Sequence, residues 1–476
     1  MKNSIKRIIC AIFAFAILVC AMSACGSSNA GEGDDTANAG SGTESKTSKN
    51  QSIDGDDASI SINQVSVESN DPYFNFDPYA TITESMKGQT VRYATWINHW
   101  ETEGKVPLSN FYNDTGLNVE LFTVAQGSYV DKIMTSIASG DIPDAFKTNE
   151  GKDNFPLTIQ LAAPIDVVST VDLNEPIWHK SMLETGTIDG HVYLVNTIGS
   201  PWSGSNLVYY NKSLFEDNGF KTPSEYYEEG NWTWTTMLKV MKDIKALGTD
   251  FHGGYIDVEV LGDSAGASFC MYDYKTATFS SGVAKKELMQ TYQWYADARE
   301  QGLTTGSFAN FKDGKCGIVI TGVYGLKNTG HFKDMNWNDI GFTYLPALED
   351  GSQGKISSIY RMYGIIDGAP NANAAGYFLR YWLDPNNYDI YDTFISNKAA
   401  NFYFELTNSE ASDKYFNYDD ACCVLVGSNS SSIFNSGAKT ASSAQVNSKL
   451  QAVSNVVDEA VSKANLLIED LKDRNK

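Results

Sequence analysis

Between Thr90 and Thr148 the chain alternates two kinds of apolar periodicity, and this alternation restricts its fold more than any other feature. "TVRYATW", residues 90–96, places apolar residues at every second position, as a half-buried strand does. A helical patch from Val106 to Tyr112 follows and stops near Gly116, and "LNVELFTV" is a second strand. Ser128 and Asp131 then open a helix in the manner of a capping box. That helix carries Val130, Ile133, Met134 and Ile137 on one face, with Gly140 in the place of a C-terminal cap. "IPDAFKT" returns as a short strand. Strand, helix, strand, helix, strand predicts a parallel α/β lobe. In open sheets of that kind ligands sit beyond the carboxyl ends of the strands. Here those ends are Trp96-Ile97-Asn98-His99 and Thr148-Asn149-Glu150.

A second block of the same character starts near residue 200. Leu207 to Tyr210 reads as a strand, Asn211 caps a short helix carrying Leu214 and Phe215, and Gly219 ends it. Thr233 caps "WTTMLKVMKDIKALG", and "KKELMQTYQWYADAREQG" is helical up to Gly302. "FKDGKCGIVITGVYG" turns through Asp313-Gly314 into a buried strand, Ile318 to Thr321. The last 30 residues space Val446, Leu450, Val453, Val457, Ala464, Ile468 and Leu471 as one long amphipathic helix.

The N-terminus is of a different nature. Lys2, Lys6 and Arg7 precede an apolar run to Cys20, too short for a membrane helix and laid out as a secretory signal. Ala21-Met22-Ser23-Ala24-Cys25-Gly26 follows, small residues before a cysteine. Residues 26 to about 80 hold ten acids against two lysines and almost no apolar residue before Ile53, a composition that cannot offset its ordering entropy. About 50 such residues span roughly 40 Å as a flexible tether. The remaining 395 or so residues exceed what one core usually serves, so two lobes are expected. The net charge of −22 becomes −25 without the three signal-peptide cations, which disfavours nucleic acid as a partner.

"LVYYNKSLFEDNGFKTP", "WTWTTMLKVMKDIK" and "FKDGKCGIVITGVYG", in that order and with "IPDAF" ahead of them, resemble the successive signatures of the family 1 extracellular solute-binding proteins, the maltose-binding-protein-like receptors of bacterial sugar importers. The likeness runs over roughly residues 88 to 470. Thr235-Thr236 departs from the family's acidic pair, and Tyr324 stands where many members have Trp. The cysteine pattern is similar to a lipoprotein lipobox, with Met22 in place of Leu, and implies lipidation of Cys25. The resemblance implies an α/β fold of the type II periplasmic-binding-protein-like kind, with two lobes and a ligand cleft between them. Each lobe would hold a mixed, mostly parallel sheet flanked by helices. It implies a signal peptide over 1–24, a lipid-anchored tether over 25–80, lobe 1 from 88–198 plus 360–405, and lobe 2 from 202–357 plus 408–476. It further implies a monomeric receptor on the outer face of the cytoplasmic membrane, of the Gram-positive type, delivering a carbohydrate to the permease subunits of an ABC importer.

Enzyme signatures are weighed against this. His252-Gly253-Gly254 looks like an oxyanion-hole loop, and Gly262-Asp263-Ser264-Ala265-Gly266 fits a G-x-S-x-G elbow. Only seven residues separate them, too few for the crossover that a hydrolase sheet needs, so the stretch reads as a Gly-rich loop at the mouth of the second lobe. No nucleotide-binding loop occurs, the five histidines lack metal-ligand spacing, and the cysteines form no C-x-x-C, so neither a metal nor a cofactor is expected. The alternatives that stay open are a polyamine or other cation receptor of the same fold, and a surface esterase or glycoside hydrolase.

Nine tryptophans and 26 tyrosines suit a site for sugar rings, whose apolar faces stack on flat side chains while planar polar groups meet their hydroxyls. Strand-end position selects Trp96, Asn98 and His99, and Asn149 and Glu150 after the Pro-Asp element. Likeness to the family adds Trp202 at the first crossing between lobes, Tyr324 after the buried strand, and Tyr360-Arg361 near the return crossing. Trp234 and Trp294 read as core residues, while Trp178 and Trp382 are undecided.

Overall fold

The computed structural model describes residues 76–96, 105–125, 128–148, 154–200, 204–348, 354–359, 361–388, 394–410, 412–428 and 430–474. The signal peptide, Cys25 and nearly all of the tether lie outside these residues. Strands β1 (Thr90–Thr95), β2 (Asn118–Thr123) and β3 (Ala145–Lys147) come first along the chain, with β1 parallel to both others. The intervening helices run Lys105–Thr115 and Tyr129–Ser139, as periodicity required. Gly140 closes the second at φ 86°, a left-handed conformation that favours glycine. Ser128 does not cap it as expected: its hydroxyl donates to the Ala125 carbonyl at 3.3 Å, and its backbone lacks the extended cap conformation. Asp144 of the Pro-Asp element is buried and accepts the Arg92 and Asn371 N–H groups at 2.8 and 2.7 Å, so it ties strands together.

After β4 (Ala162–Ala163) and a small hairpin of β5 (Thr187–Ile188) and β6 (His191–Val192), the chain crosses into a second sheet. That sheet holds β7 (Gly204–Asn211), β8 (His252–Tyr255), β11 (Cys316–Gly322), β12 (Ile340–Thr343) and β13 (Ile356–Ile359). The hairpin of β9 (Cys270–Asp273) and β10 (Thr278–Ser281) stands apart from it. The chain then returns as β14 (Tyr363–Ile366) and later adds β15 (Lys414–Phe416). The first sheet has the order β2-β1-β3-β14-β4; the second has β15-β13-β7-β11-β8, with β12 also on β7.

Each sheet contains one reversed strand. β14 runs antiparallel to β3 and β4, and β7 runs antiparallel to β11, β12 and β13. Both follow a crossing from the other sheet. A chain leaving one sheet at its carboxyl edge enters the next at the facing edge, and so must run against the resident strands. The two carboxyl edges therefore face the crossings, which is the type II arrangement.

Local signals held in the second lobe. Asn211 and Thr233 accept the N–H groups of Leu214 and Thr236 as caps of helices Lys212–Asp217 and Trp234–Lys245. Trp178 and Trp382 are both fully buried and belong to the core around β1 and β14, as Trp234 belongs to the second lobe's core. Helix Ala372–Trp382 packs on that first core, whereas helix Asn397–Asn408 packs on Tyr209, Val319 and Val323. Tyr388 packs against both cores, and Phe394 belongs to the second.

The C-terminal segment is two helices, Val446–Ala452 and Ser454–Arg474, rather than one, with the break at Val453. The longer helix touches both lobes. Asn465 accepts the Phe279 N–H at 2.7 Å and donates to its carbonyl at 3.0 Å, while Arg474 donates to the Gln160 carbonyl at 3.3 Å.

A candidate ligand site between the two sheets

Backbone pairing brings the two crossings together. Ser358 and Ile359 pair with Ser205 and Gly204 at the start of β7, and Tyr363 pairs with Lys147 at the end of β3. Asn196, on the outgoing strand, donates its side-chain amide to the Arg361 carbonyl on the returning one at 2.9 Å. Between them lies a small cavity of about 10 Å³, room for about one water. His179, Asn196 and Arg361 line it from the first lobe, and Ser205, Ser358 and Lys414 from the second.

The titratable groups that line this cavity are bases: His179, Arg361 and Lys414. Lys414 is buried, donates its ammonium to the Thr407 carbonyl at 2.6 Å, and is pulled down to about 8 by burial. His179 is buried, and burial with Lys414 beside it lowers its pKa to about 4, so the ring is neutral at ordinary pH. Backbone groups of Thr407 and Asn408 meet the ring, while its Nε2 has no partner. Burial also lowers the Arg361 guanidinium, against the opposing pull of Tyr363 and Tyr403.

At the end of β3, beside this cluster, Lys147 is only 8% exposed and lays its ammonium 3.6 Å from the centre of the Trp96 ring. Trp96 itself stands edge-on to Tyr129, at 5.4 Å and 88°. Burial, then the charge of Arg361, pull Lys147 down to about 7. Across the crossings Tyr324 follows β11 and is 47% exposed, its hydroxyl donating to the Thr329 carbonyl at 2.9 Å and its ring edge-on to His331.

Of the residues expected from the sequence, then, Arg361 lines the cavity, Trp96 lies beneath Lys147 at the end of β1, and Tyr324 stands exposed beyond β11. Asn98, His99, Asn149, Glu150, Trp202 and Tyr360 lie outside the described residues. Sequence reasoning missed Lys147, His179, Lys414, Ser205 and Ser358. Strand-end position could have found Lys147, two residues before Asn149. His179 and Lys414 carry no local signal, because one precedes a short helix and the other opens a three-residue strand.

The paired hydrolase signatures are not a loop at the mouth of the lobe, which corrects the sequence reading. His252-Gly253-Gly254 is part of β8, and the serine ends helix Val258–Ser264. A Cβ on Gly253 would come within 2.4 Å of the Met241 Cβ, so that glycine serves close packing of helix on sheet. Ser264 is 3% exposed, donates to the Leu261 carbonyl at 2.7 Å and accepts the Trp234 indole N–H at 3.2 Å. A serine at the end of a buried helix has neither the strained strand-to-helix turn nor the exposure of a nucleophile elbow. Among the described residues, no group of three or more His, Cys, Asp or Glu side chains could hold a metal ion, and no helix is long and apolar enough to cross a membrane.

Residues 108–401 match the family described as bacterial extracellular solute-binding protein. The chain belongs to that family. Its members are binding proteins that work outside the cell. Solved solute-binding proteins share the fold: the sugar-binding protein MalE from Xanthomonas citri matches with a TM-score of 0.57 at 15% identity, over 80% of this chain and 99% of that one. The galacto-N-biose-/lacto-N-biose I-binding protein of Bifidobacterium longum gives a TM-score of 0.57 at 12% identity, over 80% of this chain and 98% of that one. The cyclic alpha-maltosyl-1,6-maltose binding protein from Arthrobacter globiformis gives 0.53 at 13%, over 80% and 99%. A binding protein of Brucella abortus (strain 2308) is 26% identical over 202 residues, 40% of this chain and 44% of that protein. The chain therefore matches less than half the length of this curated relative.

Proposed function

We propose that this solute-binding protein is a lipid-anchored surface receptor, held by Cys25, that captures a carbohydrate and presents it to an ABC importer without altering it. The observation that carries this reading is the cavity at the two crossings, lined from both sheets, with Trp96 and Tyr324 beyond strand ends on opposite lobes. A ligand that contacts both lobes only when they close shifts the hinge equilibrium toward the closed form. The permease would read that closed form. The sugars named for the solved relatives of like fold support a saccharide as the ligand class. The cavity lining, among the described residues, contains no carboxylate, which speaks against a cation receptor.

The test is a thermal-shift and calorimetric screen of mono- and oligosaccharides on the mature chain, with X-ray scattering to follow closure. A saccharide that raises Tm, reduces the radius of gyration and is recovered intact is the expected result. Turnover of that saccharide, or protection by polyamines alone, would overturn the reading.

A further inference from the structure

Asn206 stands near the start of β7, just after the first crossing, and it is the one residue of that strand that is not buried. It pairs with Gly322 at the carboxyl end of β11, two residues before Tyr324. Apart from its chain neighbours, a Cβ on Gly322 would meet only the Asn206 Oδ1 and the Ser205 carbonyl, both at 3.8 Å, so the space over this pair is open. The Tyr209 hydroxyl donates to the Gly322 carbonyl at 2.9 Å and steadies the turn that carries Tyr324.

The chemistry of Asn206 is set behind it, by the acid of the G-x-S-x-G pattern. Asp263, on helix Val258–Ser264, is buried, and both of its oxygens accept. The Asn417 side-chain amide donates to Oδ1 at 3.0 Å and the Ser357 hydroxyl to Oδ2 at 2.7 Å. Burial pushes this carboxyl up, and the two hydrogen bonds pull it back. The Ser357 hydroxyl has one proton and gives it to Asp263, so toward Asn206 it can only accept. The Asn206 amino group donates to it at 2.9 Å. The amide is thereby turned, with its nitrogen on Ser357 and its oxygen toward Gly322.

We propose that Asn206 determines specificity: its Oδ1 accepts a hydroxyl of the saccharide beside Tyr324, and Ser357 and Asp263 are the positioning residues that give this point its polarity. This rests on the carbohydrate reading above. An acceptor selects a donor, so the site favours a hydroxyl here over hydrogen and over fluorine, which cannot donate. One such hydrogen bond is worth roughly two- to tenfold in affinity.

The experiment is calorimetry on the mature chain with maltose and lacto-N-biose, each with its monodeoxy and monofluorodeoxy series. At one hydroxyl of the sugar that binds, replacement by hydrogen or by fluorine is expected to weaken binding alike, by roughly two- to tenfold. Asn206→Ala should abolish that difference. Asp263→Asn is nearly isosteric and carries the sharper expectation. An amide there keeps its oxygen on Asn417 and donates to Ser357, whose hydroxyl then donates to Asn206 and turns its amide. The fluorinated form should then bind about as well as the parent sugar. The Tm of each ligand-free variant checks that it folds, and a role in stability alone would shift Tm without reordering the analogues. The same loss on deoxygenation in Asn206→Ala as in the parent chain would overturn the contact and leave the carbohydrate reading standing. Fluorinated forms bound by the parent chain as well as the hydroxyl at every position would overturn the polarity. An unchanged order of analogues in Asp263→Asn would overturn the relay. Binding of neither sugar would overturn both the inference and the carbohydrate reading.

Discussion

The Lys147 ammonium lies 3.6 Å from the centre of the Trp96 ring, so the ends of the neighbouring parallel strands β1 and β3 are joined by a cation on an indole face. A buried contact of this kind is worth about 0.5–2 kcal/mol. Trp96→Ala should therefore lower unfolding free energy by about that amount beyond the lost burial, and Lys147→Gln in the same background should add little. A double-mutant cycle in urea measures the coupling, and additive effects would show that the pair is merely adjacent.

Stability should vary with pH through the same lysine. Burial holds Lys147 at about 7 and Lys414 at about 8 in the folded chain, against 10.5 unfolded. Between these values the unfolded chain binds more protons, so this contribution grows as pH rises toward 10.5 and is lost as pH falls through 8 and 7. Asp419 runs the other way. Burial raises it to about 8 from 3.8, so its contribution is full below 3.8 and lost as pH climbs to 8. Denaturation curves from pH 7 to 10 should be flatter for Lys147→Met than for the parent chain. Parallel curves would mean that Lys147 keeps its proton.

Ser264→Ala should leave hydrolytic background unchanged and cost about 1–3 kcal/mol, because the Trp234 indole N–H loses its acceptor in a buried place. Gly253→Ala should cost at least as much through the clash with Met241. Esterase assays and chemical denaturation read the two effects separately, and activity abolished by the serine change would reinstate the enzyme reading.

Tyr324 offers a cleaner test of the site. Its ring is 47% exposed and its hydroxyl serves only a local turn, so Tyr324→Ala should barely change Tm. Loss of a stacking ring should weaken saccharide binding by roughly two- to tenfold, equivalent to the about 0.5–1.5 kcal/mol of an aromatic contact. Unchanged affinity would place the ligand elsewhere.

Cys270, Cys316, Cys422 and Cys423 are buried thiols, none of them in a disulfide among the described residues. Cys422 beside it and burial raise the Cys270 thiol, and burial pushes Cys316 up to about 12. A thiolate reagent should label none of them in the native chain and all of them in denaturant. Fewer than four labelled thiols after denaturation without reductant would reveal a disulfide.

Local chemistry carried much of this protein. Alternation drew β1 and β2, the 3.6-residue period drew the helices between them, and Asn211 and Thr233 capped the helices that they precede. These features depend on neighbours within a turn or two, and a sequence displays such neighbours directly. Strand-end position selected Trp96, and likeness to the family selected Arg361 and Tyr324, but neither pointed to His179 or Lys414. His179, Arg361 and Lys414 are separated by more than fifty residues at their closest and come from both lobes, so no periodicity could place them around one cavity. The same holds for Ser264, whose pattern suggested an exposed turn until the indole of Trp234 closed over it. The direction of β7 and β14 was likewise set by where each crossing arrives. Short-range hydrogen bonding and burial period write secondary structure into the chain, whereas charge placement at a site depends on which distant strand ends the crossings bring together.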